Sequence, residues 1–354
     1  MLRFIYQALP GRVIFGAGSL DRLRDEIQRL GASRALVLST PEQRDQAQAV
    51  AQRLGSRATG VFDQAAMHVP IATANAAREE AKRLGADCCV AVGGGSTTGL
   101  AKAIALVSDL PILAVPTTYA GSEMTPIWGL TEGGIKKTGR DTRVLPRTVI
   151  YDPVLTLTMP PMLSATSGMN AIAHCVEALY AEDANPIISL MAEEGIRALG
   201  TSLPAVMKDP RDIEARSHAL YGAWLAGSSL GAVGMALHHK LCHVLGGTFN
   251  LPHAETHTVV LPHTVAYNSK AAPEAMARVA RALRADDAAA GLFALASSMG
   301  APTALGKIGM KEEDLDHAAD LAVENPYYNP RPITRDAIRA LLDDAFRGRS
   351  PAAR

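Results

Sequence analysis

The sequence predicts an N-terminal α/β domain that binds a nucleotide and a C-terminal domain made only of helices. Over roughly the first 155 residues, short apolar runs alternate with amphipathic stretches, the pattern of strands and crossover helices in a parallel sheet. After about Pro160 the strand signals vanish, and apolar residues recur at helical spacing. Pairs that contain proline interrupt both patterns near residues 153–164, so we place the domains at residues 1–158 and 159–354.

Composition and charge restrict the partners of the chain. Its 354 residues include 35 basic and 35 acidic side chains, so the formal net charge is zero. We expect neither a nucleic-acid nor a membrane partner, because both normally require a basic surface. The N-terminus lacks the apolar core of a signal peptide, and the four cysteines have no metal-binding or redox spacing. A cytoplasmic protein with reduced thiols is expected.

Six runs of β-forming residues make up the predicted sheet. They are Arg12–Gly16, Ala35–Ser39, Thr59–Phe62, Cys88–Val92, Ile112–Val115 and Thr148–Tyr151.

A glycine run follows the fourth predicted strand. Gly93-Gly94-Gly95 leads through Ser96-Thr97-Thr98 into the start of a helix. A strand, glycines and a helix start point unpaired backbone N–H groups at a pyrophosphate, and Ser96 and Thr97 add hydroxyl donors. An ordinary tight turn is the alternative. The spacing is not that of the six-residue dinucleotide fingerprint, so a standard Rossmann assignment would be wrong in detail.

A second polar loop, residues 117–123, follows the fifth predicted strand. We expect this loop to lie at the same carboxyl edge of the sheet as the glycine run, because open α/β sheets bind cofactors at that edge. The second predicted strand ends in Ser39, with no acidic residue before Glu42. A carboxylate there normally binds the ribose diol and repels a 2′-phosphate, so its absence favours the use of both NADH and NADPH.

Histidines are dense in the predicted helical domain. Asn170, His174 and Glu177 lie on one helix face, and His239 and His243 are one turn apart. Such a pair can bind a transition metal or transfer protons. A single histidine is more often a hydrogen-bonded structural residue, which is our interpretation of His257 and His263.

These motifs resemble the iron-containing alcohol dehydrogenase family over nearly the whole chain. The resemblance rests on the glycine run with Ala101-Lys102, on residues 117–123, on the segment from His239 to His253, and on Asn329-Pro330-Arg331-Pro332. It implies the dehydroquinate synthase-like fold, with the active site in the cleft between an α/β nucleotide-binding domain and an all-α domain. The cofactor-binding residues it implies are Ser39, Gly93, Gly94, Gly95, Ser96, Thr97, Lys102, Thr117, Thr118 and Ser122.

Metal-using members of that family hold iron or zinc with one aspartate and three histidines. The matching positions here are Asn170, His174, His239 and His253, with His243 beside them. Asparagine replaces the only anionic ligand, so we expect that no metal is required. The resemblance then assigns catalysis to His174, His239, His243 and His253.

The loop sequences resemble one branch of this family, which reduces a carbon–carbon double bond conjugated with a ketone during the degradation of aromatic compounds. That branch implies a small dianionic substrate and a homodimer. Lys136 and Lys137, with Arg140 and Arg143, form a basic stretch that would supply countercharges, and Asn170 and Tyr119 are further candidates for substrate contact. A solvated hairpin is the alternative for the basic stretch. The rival functions are a metal-dependent alcohol dehydrogenase and a nucleotide-binding protein without catalysis.

Overall fold

The computed structural model describes residues 4, 6–9, 11–133 and 135–351, and for residues 135 and 136 only the backbone. The chain divides into two compact units. One is Leu9–Met159, and the other runs from Pro160 onward and includes the described residues among the first eight.

The first unit contains all the strands of the described chain. They are β1 (Arg12–Phe15), β2 (Ala35–Leu38), β3 (Ala58–Phe62), β4 (Cys88–Gly93), β5 (Ile112–Pro116), β6 (Ile127–Glu132), β7 (Ile135–Arg140) and β8 (Thr148–Tyr151). Six of them form a parallel sheet in the order β1-β8-β5-β4-β2-β3, and β6 pairs with β7 in an antiparallel hairpin. All six predicted strands are confirmed, each within one residue of its predicted ends.

Helices cover both faces of this sheet, so β2, β4 and β5 are buried along their whole length. The helices are α1 (Leu23–Arg29), α2 (Arg44–Leu54), α3 (Ile71–Arg83) and α4 (Gly95–Ser108). The register pairs Gly93 at the end of β4 with Pro116 at the end of β5. The loops that follow these two strands therefore start side by side.

The described part of the second unit is helical, as predicted. Its helices are α5 (Pro161–Ala178), α6 (Pro186–Lys208), α7 (Ile213–Ala232), α8 (Leu237–Phe249), α9 (His253–Asn268), α10 (Pro273–Leu283), α11 (Ala288–Ser298), α12 (Leu315–Val323) and α13 (Arg335–Arg347). Helices α5, α6 and α7 pack together, and a separate apolar core joins α8, α9, α12 and α13. Only Asn250, Leu251 and Pro252 separate α8 from α9, so their side chains meet face to face.

Among the described residues, no single helix is long and apolar enough to cross a membrane. Helices α7 and α8 meet that test only when taken together, and they are bent by 96° at the break between them.

Candidate functional site

The glycine run forms the connection predicted for it, from β4 directly into the N-terminus of α4. Gly94 lies so close to the next loop that a Cβ there would come within 2.8 Å of Thr118 Oγ1. Gly93 has a φ of 155°, and its Cβ would meet both Thr97 and Gln43. No acidic side chain occupies the first turn of α4. Its free N–H groups and positive end therefore suit an anion.

Two buried hydroxyl groups at this edge have no hydrogen-bond partner among the described residues. They belong to Ser39, at the end of β2, and to Thr97, in the first turn of α4. Buried polar groups normally have hydrogen-bond partners, so two unpaired hydroxyl groups beside the glycine run indicate that a polar ligand binds to them. The residues at this edge therefore fit a nucleotide cofactor.

Gln43 is a member of this edge that the sequence interpretation missed. Its Nε2 donates to Thr117 Oγ1 at 2.6 Å, and the backbone N–H of Thr117 donates to the carbonyl oxygen of Gly93 at 3.1 Å. The side chain thus ties the turn after β2 to the loop after β5. The only feature of the sequence that could have indicated a role for Gln43 is its position shortly after the second strand, because glutamine belongs to no phosphate-binding motif.

Lys102 lies behind the cofactor loops and not at their surface. Its side chain is fully buried, and Nζ donates to Ser122 O at 2.7 Å, to Thr125 O at 2.8 Å and to Ile127 O at 2.8 Å. Burial lowers its pKa to about 7, and the charge of Glu123 opposes this shift. The lysine therefore holds the loop of Ser122 in place, whereas a direct role in binding the cofactor stays a prediction.

Glu123 and Tyr119 are buried in the same region. The Tyr151 hydroxyl donates to Glu123 Oε1 at 2.8 Å, and burial raises the pKa of the Glu123 carboxyl. Tyr119, which the sequence suggested as a substrate contact, has a fully buried side chain. Its role at a substrate also stays a prediction.

The basic stretch lies on the hairpin of β6 and β7 and in the turn after it. Lys137 is 64% exposed and pairs with Glu132 at 2.9 Å, while Arg143 pairs with Asp141 at 2.6 Å. These two side chains are exposed and form ion pairs, as expected for the solvated hairpin that was the alternative interpretation of this stretch. The side chain of Lys136 lies outside the described part of the chain.

The predicted histidines converge in the helical unit. The His174 ring, on α5, stacks on the His239 ring, on α8, with centroids 5.2 Å apart. His257, on α9, lies 5.0 Å from His239 and 4.4 Å from His253 by the same measure. The sequence interpreted His257 as a hydrogen-bonded structural residue, and it lies among the other rings of this cluster. The ring centroids of His239 and His243 are 6.2 Å apart.

Glu177 organises the cluster from one turn beyond His174. Its Oε2 accepts hydrogen bonds from His239 Nδ1 and from the backbone N–H of Ala236, both at 2.7 Å. Its Oε1 accepts from the backbone N–H of His238 at 2.6 Å. The carboxylate is fully buried, caps the N-terminus of α8 and fixes the His239 ring. The sequence placed Glu177 on the correct helix face but assigned it no role.

A second layer of imidazoles lies behind His239. His238 Nε2 and His257 Nδ1 are 2.9 Å apart, and His238 Nδ1 lies 3.4 Å from Thr264 Oγ1. The Thr264 hydroxyl donates to Leu261 O at 2.9 Å, so it accepts from His238 Nδ1–H. His238 Nε2 then accepts from His257 Nδ1–H. This chain leaves the lone pair of His257 Nε2 facing the cluster.

Burial keeps the inner rings of the cluster neutral. It lowers the pKa of His174, His238 and His257 well below the ordinary value of 6.5, and the neighbouring imidazoles lower it further. His243 and His253, in contrast, lie at the exposed side of the cluster. The cluster therefore presents neutral nitrogen atoms inside and accessible rings outside.

The donor atoms at the four family metal positions carry no negative charge. Asn170 Oδ1, His174 Nδ1 and His239 Nε2 are buried without hydrogen-bond partners among the described residues. Such atoms can accept hydrogen bonds, but a neutral set offsets the dehydration of a divalent ion poorly. The nearest carboxylate, that of Glu177, is already occupied by its three donors.

One further group of possible ligands is His238, Cys242 and His257, whose ligand atoms lie within 4.8 Å of one another. The direct hydrogen bond between the two imidazoles already uses His238 Nε2 and His257 Nδ1. Burial also raises the pKa of the Cys242 thiol well above its usual value, which disfavours the thiolate that metals bind.

Comparison with known proteins places both units in one family. Residues 10–153 match the family described as iron-containing alcohol dehydrogenase, and residues 164–346 match its C-terminal domain. The chain is 62% identical over 352 residues to a maleylacetate reductase of Burkholderia cepacia, which covers 99% of this chain and 100% of that protein. It is 61% identical over 350 residues to a maleylacetate reductase of Sphingobium indicum, with 99% of each chain covered.

A solved structure gives the same result. The crystal structure of maleylacetate reductase from Agrobacterium tumefaciens superposes with a TM-score of 0.96 at 56% identity. The match covers 99% of this chain and 100% of that one.

Proposed function

The chain belongs to the iron-containing alcohol dehydrogenase family, and we propose that within it the protein uses NADH or NADPH to reduce the carbon–carbon double bond of maleylacetate, giving 3-oxoadipate. This is an oxidoreductase reaction on a CH–CH group. What supports it most directly is the high identity to maleylacetate reductases over the whole chain. A histidine cluster that lacks an anionic metal ligand is consistent with it, because a conjugated enone needs less activation than a simple carbonyl compound.

The N-terminal unit binds the cofactor in this proposal. Gly93, Gly94 and the N-terminus of α4 would hold the pyrophosphate, and Ser39 and Thr97 would supply hydroxyl groups. When bound, the nicotinamide supplies a hydride. Because Ser39 stands where a carboxylate would select against a 2′-phosphate, both cofactors serve.

Hydride addition to the double bond moves negative charge onto the conjugated ketone oxygen. The histidines stabilise that oxygen and deliver the proton that completes the net addition of two hydrogens. The buried carboxylate of Glu177 accepts from His239 Nδ1 and fixes that ring, the first of the two that act on the oxygen. His243 is the second donor, at the exposed side of the cluster.

We propose that this reaction requires no bound metal. Asn170 replaces the only anionic ligand of the metal-using relatives, so the four positions offer neutral donors only. The basic hairpin with Lys136 and Lys137 attracts the dianionic substrate in this proposal, although Glu132 neutralises part of its charge.

We also propose that the protein acts in the cytoplasm as a homodimer. All four cysteines are buried free thiols, as is usual in a reducing compartment. Among the described residues, β1 is an edge strand of the sheet, and Phe15 at its end is 37% exposed. An open edge of this kind favours association with a second copy.

A substrate comparison tests the function. Purified protein is assayed with maleylacetate and each nicotinamide cofactor, the product is identified by mass spectrometry, and the oxidation of ethanol and propanediol is measured in parallel. We expect fast reduction of maleylacetate and a preference between the cofactors below about a hundredfold, roughly 2.7 kcal/mol. Equally efficient oxidation of the alcohols would identify an alcohol dehydrogenase instead. Cofactor binding without any turnover would identify a nucleotide-binding protein.

A further inference from the structure

We propose that Gln43 is a positioning residue of the cofactor site, which turns the hydroxyl group of Thr117 so that it donates its proton to the bound nicotinamide cofactor. This inference rests on the proposed function, because it concerns the cofactor that the reaction uses. Gln43 Nε2 lies 2.6 Å from Thr117 Oγ1. The contact joins the turn after β2 to the loop after β5, 74 residues further along the chain.

The orientation of a neighbouring amide, that of Gln46, is fixed by a backbone carbonyl. Gln46 Nε2 lies 3.4 Å from Leu155 O and 3.0 Å from Thr158 Oγ1. A carbonyl oxygen only accepts hydrogen bonds, so the NH2 group of Gln46 must be the end that faces Leu155. The amide oxygen of Gln46 is then the end that lies 3.3 Å from the amide of Gln43.

The orientation of Gln43 follows from that of Gln46. Because Gln46 presents an oxygen, Gln43 must present its NH2 group, since two acceptor oxygens would otherwise face each other. Gln43 Nε2 has two hydrogens, and it donates one to Gln46 Oε1 at 3.3 Å and the other to Thr117 Oγ1 at 2.6 Å. The Thr117 oxygen is therefore an acceptor in this contact, and its own hydrogen points elsewhere.

That hydrogen of Thr117 has no acceptor within the part of the chain that the structure describes, although the residue is buried. The backbone N–H of Thr117 donates to Gly93 O at 3.1 Å, so the residue lies directly beside the glycine run. Buried donors normally find an acceptor. A cofactor that binds at the glycine run would supply one, because its phosphate and ribose oxygens accept hydrogen bonds.

Gln43 is itself held in place before any cofactor binds. It ends the short 3-10 turn Pro41–Gln43, and its backbone N–H donates to Thr40 O at 3.1 Å. Its Oε1 lies against Gly93, where a Cβ would come within 2.8 Å of it. The Thr117 hydroxyl is therefore already oriented in the free protein, and little rotational freedom is lost when the cofactor arrives.

The test is a double-mutant cycle of Gln43→Glu and Thr117→Val, with the Kd for NADH measured by fluorescence titration at neutral pH. In the unaltered chain, Thr117→Val removes the donor, and we expect Kd to rise about tenfold. The carboxylate of Gln43→Glu can only accept, so it takes the hydrogen of Thr117 away from the cofactor. In that background, Thr117→Val should therefore change Kd by less than about twofold.

A merely structural link between the two loops predicts a different result. Gln43→Glu would preserve a hydrogen bond between the loops, so Thr117→Val would break it and raise Kd equally in both backgrounds. Equal effects would overturn the proposal. Repulsion between the new carboxylate and the cofactor phosphates is present in both variants that carry Gln43→Glu, so it cancels in the comparison.

Two single variants complete the set. Gln43→Met removes the NH2 group but leaves the Thr117 hydroxyl free to rotate towards the cofactor, so Kd should rise only about threefold. A larger rise for Gln43→Met than for Gln43→Glu would overturn the proposal. Gln48→Glu is the control for charge, because it adds a carboxylate to the exposed side of α2 and should leave Kd within about twofold.

These titrations contain no substrate, so they separate the role of Gln43 from the reaction. If the protein binds NADH with the expected pattern but does not reduce maleylacetate, the proposed reaction fails and the role of Gln43 stands. If the unaltered protein binds neither NADH nor NADPH, both are overturned.

Discussion

Glu177 Oε2 lies 2.7 Å from His239 Nδ1, and the same oxygen accepts the backbone N–H of Ala236 at the start of α8. One buried carboxylate therefore determines both where the helix begins and which ring nitrogen of His239 faces the cluster. Its position makes the chemistry of His239 depend on the carboxylate behind the ring.

Replacing this carboxylate should affect activity and stability to different degrees. Glu177→Gln weakens the hydrogen bond that fixes the His239 ring, so we expect kcat to fall by up to roughly a hundredfold. Glu177→Ala also leaves two buried backbone N–H groups unpaired, those of Ala236 and His238, which should lower the free energy of unfolding by about 2–4 kcal/mol. Steady-state kinetics and urea unfolding measure the two effects. The exposed Glu182→Gln is the control, and if it changed kcat as strongly as Glu177→Gln, the account would be wrong.

Asn170→Asp should strengthen metal binding at the four positions that hold the metal in metal-using relatives. The new carboxylate joins three histidines, so zinc affinity measured by calorimetry should rise by about tenfold or more, at least 1.4 kcal/mol. Without zinc, the buried unpaired carboxylate should lower Tm, and added zinc should restore it. Asn170→Ser adds no charge and should do neither. Tight zinc binding by the unaltered protein, with activity lost on chelation, would contradict the proposal that no metal is required.

Gly94→Ala should weaken cofactor binding, while Gly95→Ala should be tolerated. A Cβ at Gly94 would lie 2.8 Å from Thr118 Oγ1, whereas a Cβ at Gly95 would lie 3.6 Å from its nearest neighbour, Ala120. We expect the Kd for NADH, measured by fluorescence titration, to rise about tenfold for Gly94→Ala and to recover when Thr118→Ala is added. Equal effects of the two glycine substitutions would rule out the close approach as the cause.

The basic hairpin should affect substrate capture more than turnover. Replacing Lys136 and Lys137 with alanine should raise KM for maleylacetate several-fold at low salt and leave kcat unchanged, because uniform binding is lost. The difference should shrink as salt is added. Lys311→Ala is the control, since this exposed lysine pairs with Glu313 on the helical unit. An unchanged KM at low salt would remove the hairpin from the substrate proposal.

Acid should destabilise the helical unit through its buried histidines. The lowered pKa values of His174, His238 and His257 mean that these rings stay neutral in the folded state and take up protons on unfolding below about pH 6.5. The stability is fully present above that pH and is lost progressively as the pH falls. Three such groups give a slope of up to about 4 kcal/mol per pH unit.

Urea unfolding at several pH values measures this slope. His257→Gln should reduce it by about one third, because one proton fewer is taken up. The exposed His317→Gln should leave it unchanged. A stability that stays constant between pH 7.5 and 5.5 would contradict this expectation, because it would show that the three rings take up protons equally in the folded and unfolded protein.

The sequence predicted those features that depend on local pattern. Apolar runs and turn residues were enough to find the six parallel strands, since each strand carries its own signal. Helical spacing brought Asn170 and His174 to one face, and the short link between α8 and α9 brought the other histidines beside them.

The remaining features depend on contacts between distant segments, which no local pattern reports. Glu177 and His239 are 62 residues apart, and Gln43 and Thr117 are 74 residues apart. The place of His257 in the cluster could not be read from the sequence for the same reason, because it depends on what surrounds its ring. Lys102 shows the converse case. It stands out in the sequence motif, but its ammonium group donates to oxygen atoms of Ser122, Thr125 and Ile127.

The double duty of Glu177 has an evolutionary consequence. Where one side chain supports both folding and chemistry, a variant that loses it is impaired in stability and in activity together. Homologues that drift in sequence should therefore keep this carboxylate even if their substrates diverge. Engineers who seek a more heat-resistant variant should leave the start of α8 untouched and search the surface helices instead.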